Sequence, residues 1–133
     1  MATKTYDPGQ VCLTLGASII QQWDAINVSR AEDSWTFITG TNGEVTRTKN
    51  LNKLGSIKVT LPQTSTDNDK ISASQVAGSL ISCALIDKSG TTIVTMPAGT
   101  VVKPADIDEE KESKQREWTI TGEIPDPFLV GGN

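Results

Sequence analysis

Strict alternation over residues 56–61 most constrains how this chain can fold. Ile57, Val59 and Leu61 fall on one side, and Ser56, Lys58 and Thr60 on the other. Side chains of a strand point to opposite faces in turn, so a period-two run is amphipathic only when extended. Pro62 ends the run, because it has no N–H to give a ladder. The pattern recurs along the chain. Val11, Leu13 and Leu15 alternate with Cys12 and Thr14 up to Gly16, and Ile26, Val28 and Arg30 alternate with Asn27, Ser29 and Ala31. Within 116–121, Trp118 and Ile120 oppose Glu117, Thr119 and Thr121.

Turn chemistry divides these runs into hairpins. Residues 34–39 and 44–49 flank Gly40-Thr41-Asn42-Gly43, whose Asn-Gly pair is a strong hairpin signal. Residues 81–86 and 91–96 flank Asp87-Lys88-Ser89-Gly90, and Val101 and Val102 suggest a short further strand before Pro104. Seventeen threonines strengthen the case for extended structure, since β-branched side chains suit a pleated surface. One segment breaks the period: Ala73, Val76, Ala77 and Leu80 have the spacing of an amphipathic helix. Ser65, Thr66 and Asp67 are its N-cap candidates, and Asp67 and Asp69 suit the positive end of its dipole. The expectation is a mainly β single domain over 1–133, a β-sandwich or barrel with one flanking α-helix over about 66–80. Extended arms are expected at 1–10 and 123–133.

A hydrophobic fraction of 36% and an aromatic fraction of 5% allow only a modest core. Small domains bury only about two-thirds of their unfolded surface, and oligomerisation is a common remedy. The net charge is −4, and residues 106–112, with five acids and one lysine, account for all of it. No basic stripe is present to displace counterions from a phosphate backbone. The polar N-terminus with Pro8 predicts no signal peptide, and no stretch approaches the roughly 20 apolar residues of a membrane span. Cys12 and Cys83 read as reduced, partly buried thiols of a protein made in a cytosol.

Catalytic chemistry has little to work with. The sequence has no histidine, which removes His-based triads and histidine metal sites, and it has no GxSxG, P-loop or dinucleotide motif. No cofactor or metal is expected. Asp67 and Asp69 form a DxD where a helix cap is wanted. Asp106, Asp108, Glu109, Glu110 and Glu112 lack the pattern and glycine of a calcium loop, so they read as a solvated loop or an acidic assembly surface. Trp118 lies among β-branched residues and reads as core. Trp23 and Trp35 have polar flanks and fit either core or a subunit interface, where tryptophan is enriched.

The ordered set of segments resembles the tail tube proteins of contractile-tailed bacteriophages. The residues that carry the resemblance are Thr5-Tyr6-Asp7-Pro8-Gly9-Gln10-Val11, Glu32-Asp33-Ser34-Trp35, Gly43-Glu44-Val45-Thr46-Arg47 and the run GSIKVTLPQTSTDND over 55–69. It continues in Asp87-Lys88-Ser89-Gly90-Thr91-Thr92, Lys103-Pro104-Ala105-Asp106-Ile107 and Arg116-Glu117-Trp118-Thr119-Ile120. Residues 21–25 and those after Gly122 take no part in it.

The resemblance implies a structural virion protein, not an enzyme, assembled in the host cytoplasm. It would form hexameric rings that stack into the inner tail tube, with a contractile sheath outside and a baseplate and tail terminator at the ends. The bore would carry the tape-measure protein and then DNA in transit during ejection, without specific DNA binding. Within that reading, alternation assigns Asn27, Ser29, Ser56, Lys58, Thr60, Glu117, Thr119 and Thr121 to the lumen, with Lys58 offset by a neighbouring carboxylate. Subunit contacts are expected from Trp23, Trp35, Arg47, Lys49 and Lys53, the basic residues of 41–54 facing the acidic run of a neighbour. Phe128 and Leu129 are expected to make the C-terminal arm an interface element that orders on assembly, as the N-terminal arm would. Two alternatives stand beside this: a tail completion or tube-initiator protein of the same fold, and a carbohydrate-binding β-sandwich that stacks sugars on Trp23 or Trp35.

Overall fold

The computed structural model describes residues 6–16, 18–20, 23–88, 90–125 and 128–131. Residues 1–5 of the N-terminal arm, Ser89 of the second turn, and Pro127 and Asn133 of the C-terminal arm lie outside them. The strands are β1 (Val11–Leu15), β2 (Ser18–Ile20), β3 (Ala25–Arg30), β4 (Trp35–Thr39), β5 (Val45–Lys49), β6 (Leu54–Pro62), β7 (Ile81–Asp87), β8 (Ile93–Val101) and β9 (Gln115–Glu123). One helix, α1 (Asp67–Ala77), separates β6 from β7. Seven strands form one antiparallel sheet in the order β2-β1-β7-β8-β9-β6-β3, and β4 and β5 form a ribbon of their own.

β8 makes this sheet a sandwich. Its first half pairs with β7, from Ile93 on Ile86 to Met96 on Cys83, and its second half pairs with β9 over Gly99 to Val101. The register shifts by a bulge between Ile81 and Cys83, and bulged strands bend. Gly99 and Gly122 sit opposite each other at this corner. A Cβ on Gly122 would meet the carbonyl oxygen of Ala98 at 2.5 Å, so only glycine lets the strands approach so closely. Leu13, Leu15, Cys83, Val94 and Met96 from one half and Ile57, Val59, Leu61, Trp118 and Ile120 from the other form a single buried cluster. The mainly β architecture with one helix is the one expected from the alternation.

Several details differ from the expectation. Val101 and Val102 do not start a separate strand: Val101 ends β8, which runs nine residues through the corner. β2 has no alternation long enough to announce it, yet it closes one edge of the sheet against β1. The helix ends at Ala77, with Gly78 in the left-handed conformation at its C-cap. Its expected apolar face is the wrong one. Val76 is 81% exposed and Leu80 73%, Ala73 and Ala77 also face outward, and the buried residues are Asp67 and Ile71. Leu80 lies beyond the cap, so it cannot extend a helical stripe. At the other end Thr66 makes no side-chain capping bond; Ser65 Oγ accepts from the N–H of Asp67 at 3.3 Å instead.

The described residues next to the two termini are tied to the sandwich. Pro8–Gln10 form a 3₁₀ turn capped by Asp7, and the Gln10 carbonyl accepts from the N–H of Lys88. Glu123 completes β9, and Ile124 is fully buried with its N–H donating to the Lys53 carbonyl. Glu123 and Ile124 thus belong to β9 and to the core, respectively.

Candidate assembly surfaces

The three strands β3, β6 and β9 turn a polar grid to solvent. Register places Ser29, Ser56 and Thr121 in one row and Asn27, Lys58 and Thr119 in the next, followed by Ala25, Thr60 and Glu117. All eight residues assigned to the lumen thus share one face, because Ile26, Val28, Ile57, Val59, Trp118 and Ile120 fill the other and are packed in the core. Lys58 makes no ion pair with a described residue. Glu117 is its diagonal neighbour across the β6–β9 pair, a relation that places side chains roughly 7–8 Å apart. These eight residues therefore carry one positive and one negative charge among hydroxyls and amides, and exposed Glu123 on the same face of β9 adds a second carboxylate.

The β4–β5 ribbon stands apart from the core. Trp35, Phe37, Ile38 and Val45 are all exposed, Phe37 at 68%. Phe37 pairs with Arg47, and Trp35 pairs with Lys49. The Arg47 guanidinium lies 4.2 Å from the centre of the Trp35 ring, a cation–π contact. That contact covers one face of the indole and removes it as a platform for a sugar ring. The base of the ribbon is locked. Asn50 donates from its N–H to the Ser34 carbonyl and from Nδ2 to Glu32, and Asn52 accepts from the N–H of Leu54. The amides of Asn50 and Asn52 stabilise the Glu32 carboxylate and hold its pKa below the usual range.

The acidic run has internal partners. Arg116 pairs with Glu109 at 2.8 Å, Lys114 with Glu110 at 3.3 Å, and Gln63 donates to Glu109. No group of three or more His, Cys, Asp or Glu side chains among the described residues is placed to hold a metal ion. Asp67 is buried against Lys70 at 3.8 Å, in the first turn of α1. A cleft of about 270 Å³ lies between Lys103, Asp106, Asp108 and the Glu117 and Thr119 end of the polar face.

The remaining assigned residues separate. Trp118 is core, its Nε1–H donating to Asn68 Oδ1 at 2.9 Å. Trp23 is half-buried and packs on the core, whereas Trp35 lies in the ribbon. Lys53 immediately precedes β6 with its carbonyl on Ile124, whereas Lys49 lies at the base of the ribbon opposite Trp35 and Arg47 further along it opposite Phe37. Phe128 packs on the core of its own chain under Arg30, whose guanidinium lies 5.1 Å from the ring centre. Leu129 pairs with Ile93 and is half-exposed.

No protein-family model and no curated protein matches the sequence. The fold does match solved structures. One is the tube-terminating cap of the anti-feeding prophage, with TM-score 0.57, 11% identity, and 92% of this chain and 90% of that chain covered. A second is the sheath/tube terminator of an extracellular contractile injection system in the extended state, with TM-score 0.59, 10% identity and both chains covered in full. A third is a chain of the native gene transfer agent virion, with TM-score 0.61, 11% identity, and 91% and 99% covered. At such identity the likeness is one of fold.

Proposed function

We propose that this chain is a structural protein of a phage-tail-like contractile particle, one that forms a ring at the end of the tail tube and has no catalytic role. The observation that carries the reading is the fold shared over nine-tenths or more of the chain with a tube cap and a sheath/tube terminator. The polar face of β3, β6 and β9 supports it. A ring built from this sheet would turn Ser, Thr and Asn side chains to the bore, and a moving polyanion meets little positive charge there. Tape-measure protein and DNA would pass along that wall, and neighbouring tube and sheath subunits would meet the ribbon and the exposed face of α1.

The second reading is the repeating tube protomer itself, in stacked hexamers, which the ordered sequence resemblance favours. Polymerisation separates the two. Negative-stain microscopy of the purified protein should show rings of limited height that do not stack into tubes. Long rods from this protein alone would replace the end-ring reading with the tube reading.

A further inference from the structure

The segment 128–131 lies on a strand edge of its own sheet. Ile93 and Leu129 exchange both backbone hydrogen bonds, Ile93 N–H to Leu129 O at 3.0 Å and Leu129 N–H to Ile93 O at 3.1 Å. Thr92 Oγ1 donates to the Gly131 carbonyl at 3.0 Å and accepts from the Gly131 N–H at 3.1 Å. This edge exists because β9 pairs with β8 only from Gly99 onward, leaving the first half of β8 open on that side. Thr95 is the next residue in the edge row; it faces Ala84 of β7 on one side and has no described strand on the other, and Pro97 after it has no N–H to offer. The segment thus works as a short strap on an otherwise open edge.

We infer that this strap is an exchangeable edge strand: in the assembled ring, residues 128–131 of one copy lie on Ile93 of the next. Three observations argue for it. The seat in the isolated chain holds Phe128 on the core but leaves Val130 78% exposed and Leu129 46%, apolar surface that a second copy can cover. The seat is matched to this segment and not to an arbitrary strand, because a Cβ on Gly131 would collide with Thr91 Oγ1. Every copy carries both the strap and the seat, so exchange keeps the same bonds while linking subunits. Phe128 would move with the strap onto Arg30 of the neighbour. The bond from Arg30 Nη2 to the Ile124 carbonyl at 2.8 Å keeps the chain fixed at the strap's base. From Ile124 to Phe128 is four steps, at most about 14 Å of extended chain, so the acceptor must be an adjacent copy.

The inference rests on the ring-forming reading, and the test separates the two. Ile93→Cys and Leu129→Cys face each other across a hydrogen-bonded pair, at a spacing that suits a disulfide. They are combined with Cys12→Ala; Cys83 is buried, with its thiol pushed up to about 11, and stays unreactive. Rings assembled under reduction and then oxidised should give a covalent ladder on a non-reducing gel, whereas monomer oxidised before assembly should close on itself and form no rings. A chain ending at Pro125 keeps Ile124 in the core and should fold, with each subunit contact weakened roughly tenfold by loss of the paired bonds. Assembled rings that yield only internal disulfides, or a shortened chain that forms rings as well as the full one, would overturn the exchange. Failure of the unaltered protein to form rings at any concentration would remove the ring-forming reading and the exchange with it.

Discussion

Asn68 links three parts of the fold through one side chain. Its Oδ1 accepts the indole N–H of Trp118, and its Nδ2 donates to the carbonyls of Pro62 and Ser65 at 2.9 and 3.1 Å. The end of β6, the start of α1 and a core tryptophan are thereby fixed together. Asn68→Ala leaves the buried indole N–H of Trp118 without a partner, while the Pro62 and Ser65 carbonyls keep their backbone N–H donors, and the loss costs about 1–3 kcal/mol. Urea unfolding should show a lower midpoint at an unchanged slope, and an unmoved midpoint would contradict this role. Cys83 gives a second prediction at this scale. Burial raises its thiol from an ordinary 9.0 to about 11. Between those values the unfolded chain loses the proton first, so the folded state loses stability as pH rises through the window. Cys83→Ala should flatten the alkaline limb of the stability curve, and an unchanged limb would contradict the assignment. The sequence shows neither role, because both depend on contacts between distant residues. Trp118 reads as core from its strand, but nothing local marks Asn68 as its partner.

Strands and helix differ in how far local pattern determines them. In β6 the alternation predicts the observed burial, since a buried sheet face tolerates no slip of one residue. In α1 the same kind of reasoning selects the wrong stripe. A three-turn helix lying on a sheet needs only one large apolar contact, which Ile71 makes, and Val76 and Leu80 then remain outside. Val76→Ser with Leu80→Ser should change stability by less than about 0.5 kcal/mol. Ile57→Ala should cost about 2–5 kcal/mol by comparison. Thermal unfolding of both variants checks the contrast, and a large loss from the helix pair would place that face in the core after all. The ribbon was legible from Asn-Gly and its flanking runs, and its separation from the core was not, because exposure of Phe37 and Ile38 reflects where the ribbon projects. A two-stranded ribbon is marginal by itself, so a neighbour is its natural support. Lys49→Glu with Lys53→Glu should slow ring formation, most at low salt, while leaving the circular dichroism of the monomer unchanged. Light scattering over a salt series would show it; parent-like rates at every salt concentration would exclude charge steering by this segment.

The whole molecule is an open sandwich with two different outer faces and a strap on one edge. Its polar grid was legible in full from period-two alternation, since placing Ile57, Val59 and Trp118 inside forces Lys58, Thr60 and Thr119 outward. The strap on Ile93 was not, because pairing between residues 36 positions apart leaves no local trace. Whether the grid faces a bore is a property of the ring, and the account stands or falls there. Electron cryomicroscopy of the purified, assembled protein addresses it directly. The account predicts closed rings of limited height with Thr60 and Thr119 toward the axis and the β4–β5 ribbon against a neighbour. Rings with Thr60 and Thr119 on the outer wall, or a protein that stays monomeric at every concentration, would contradict it.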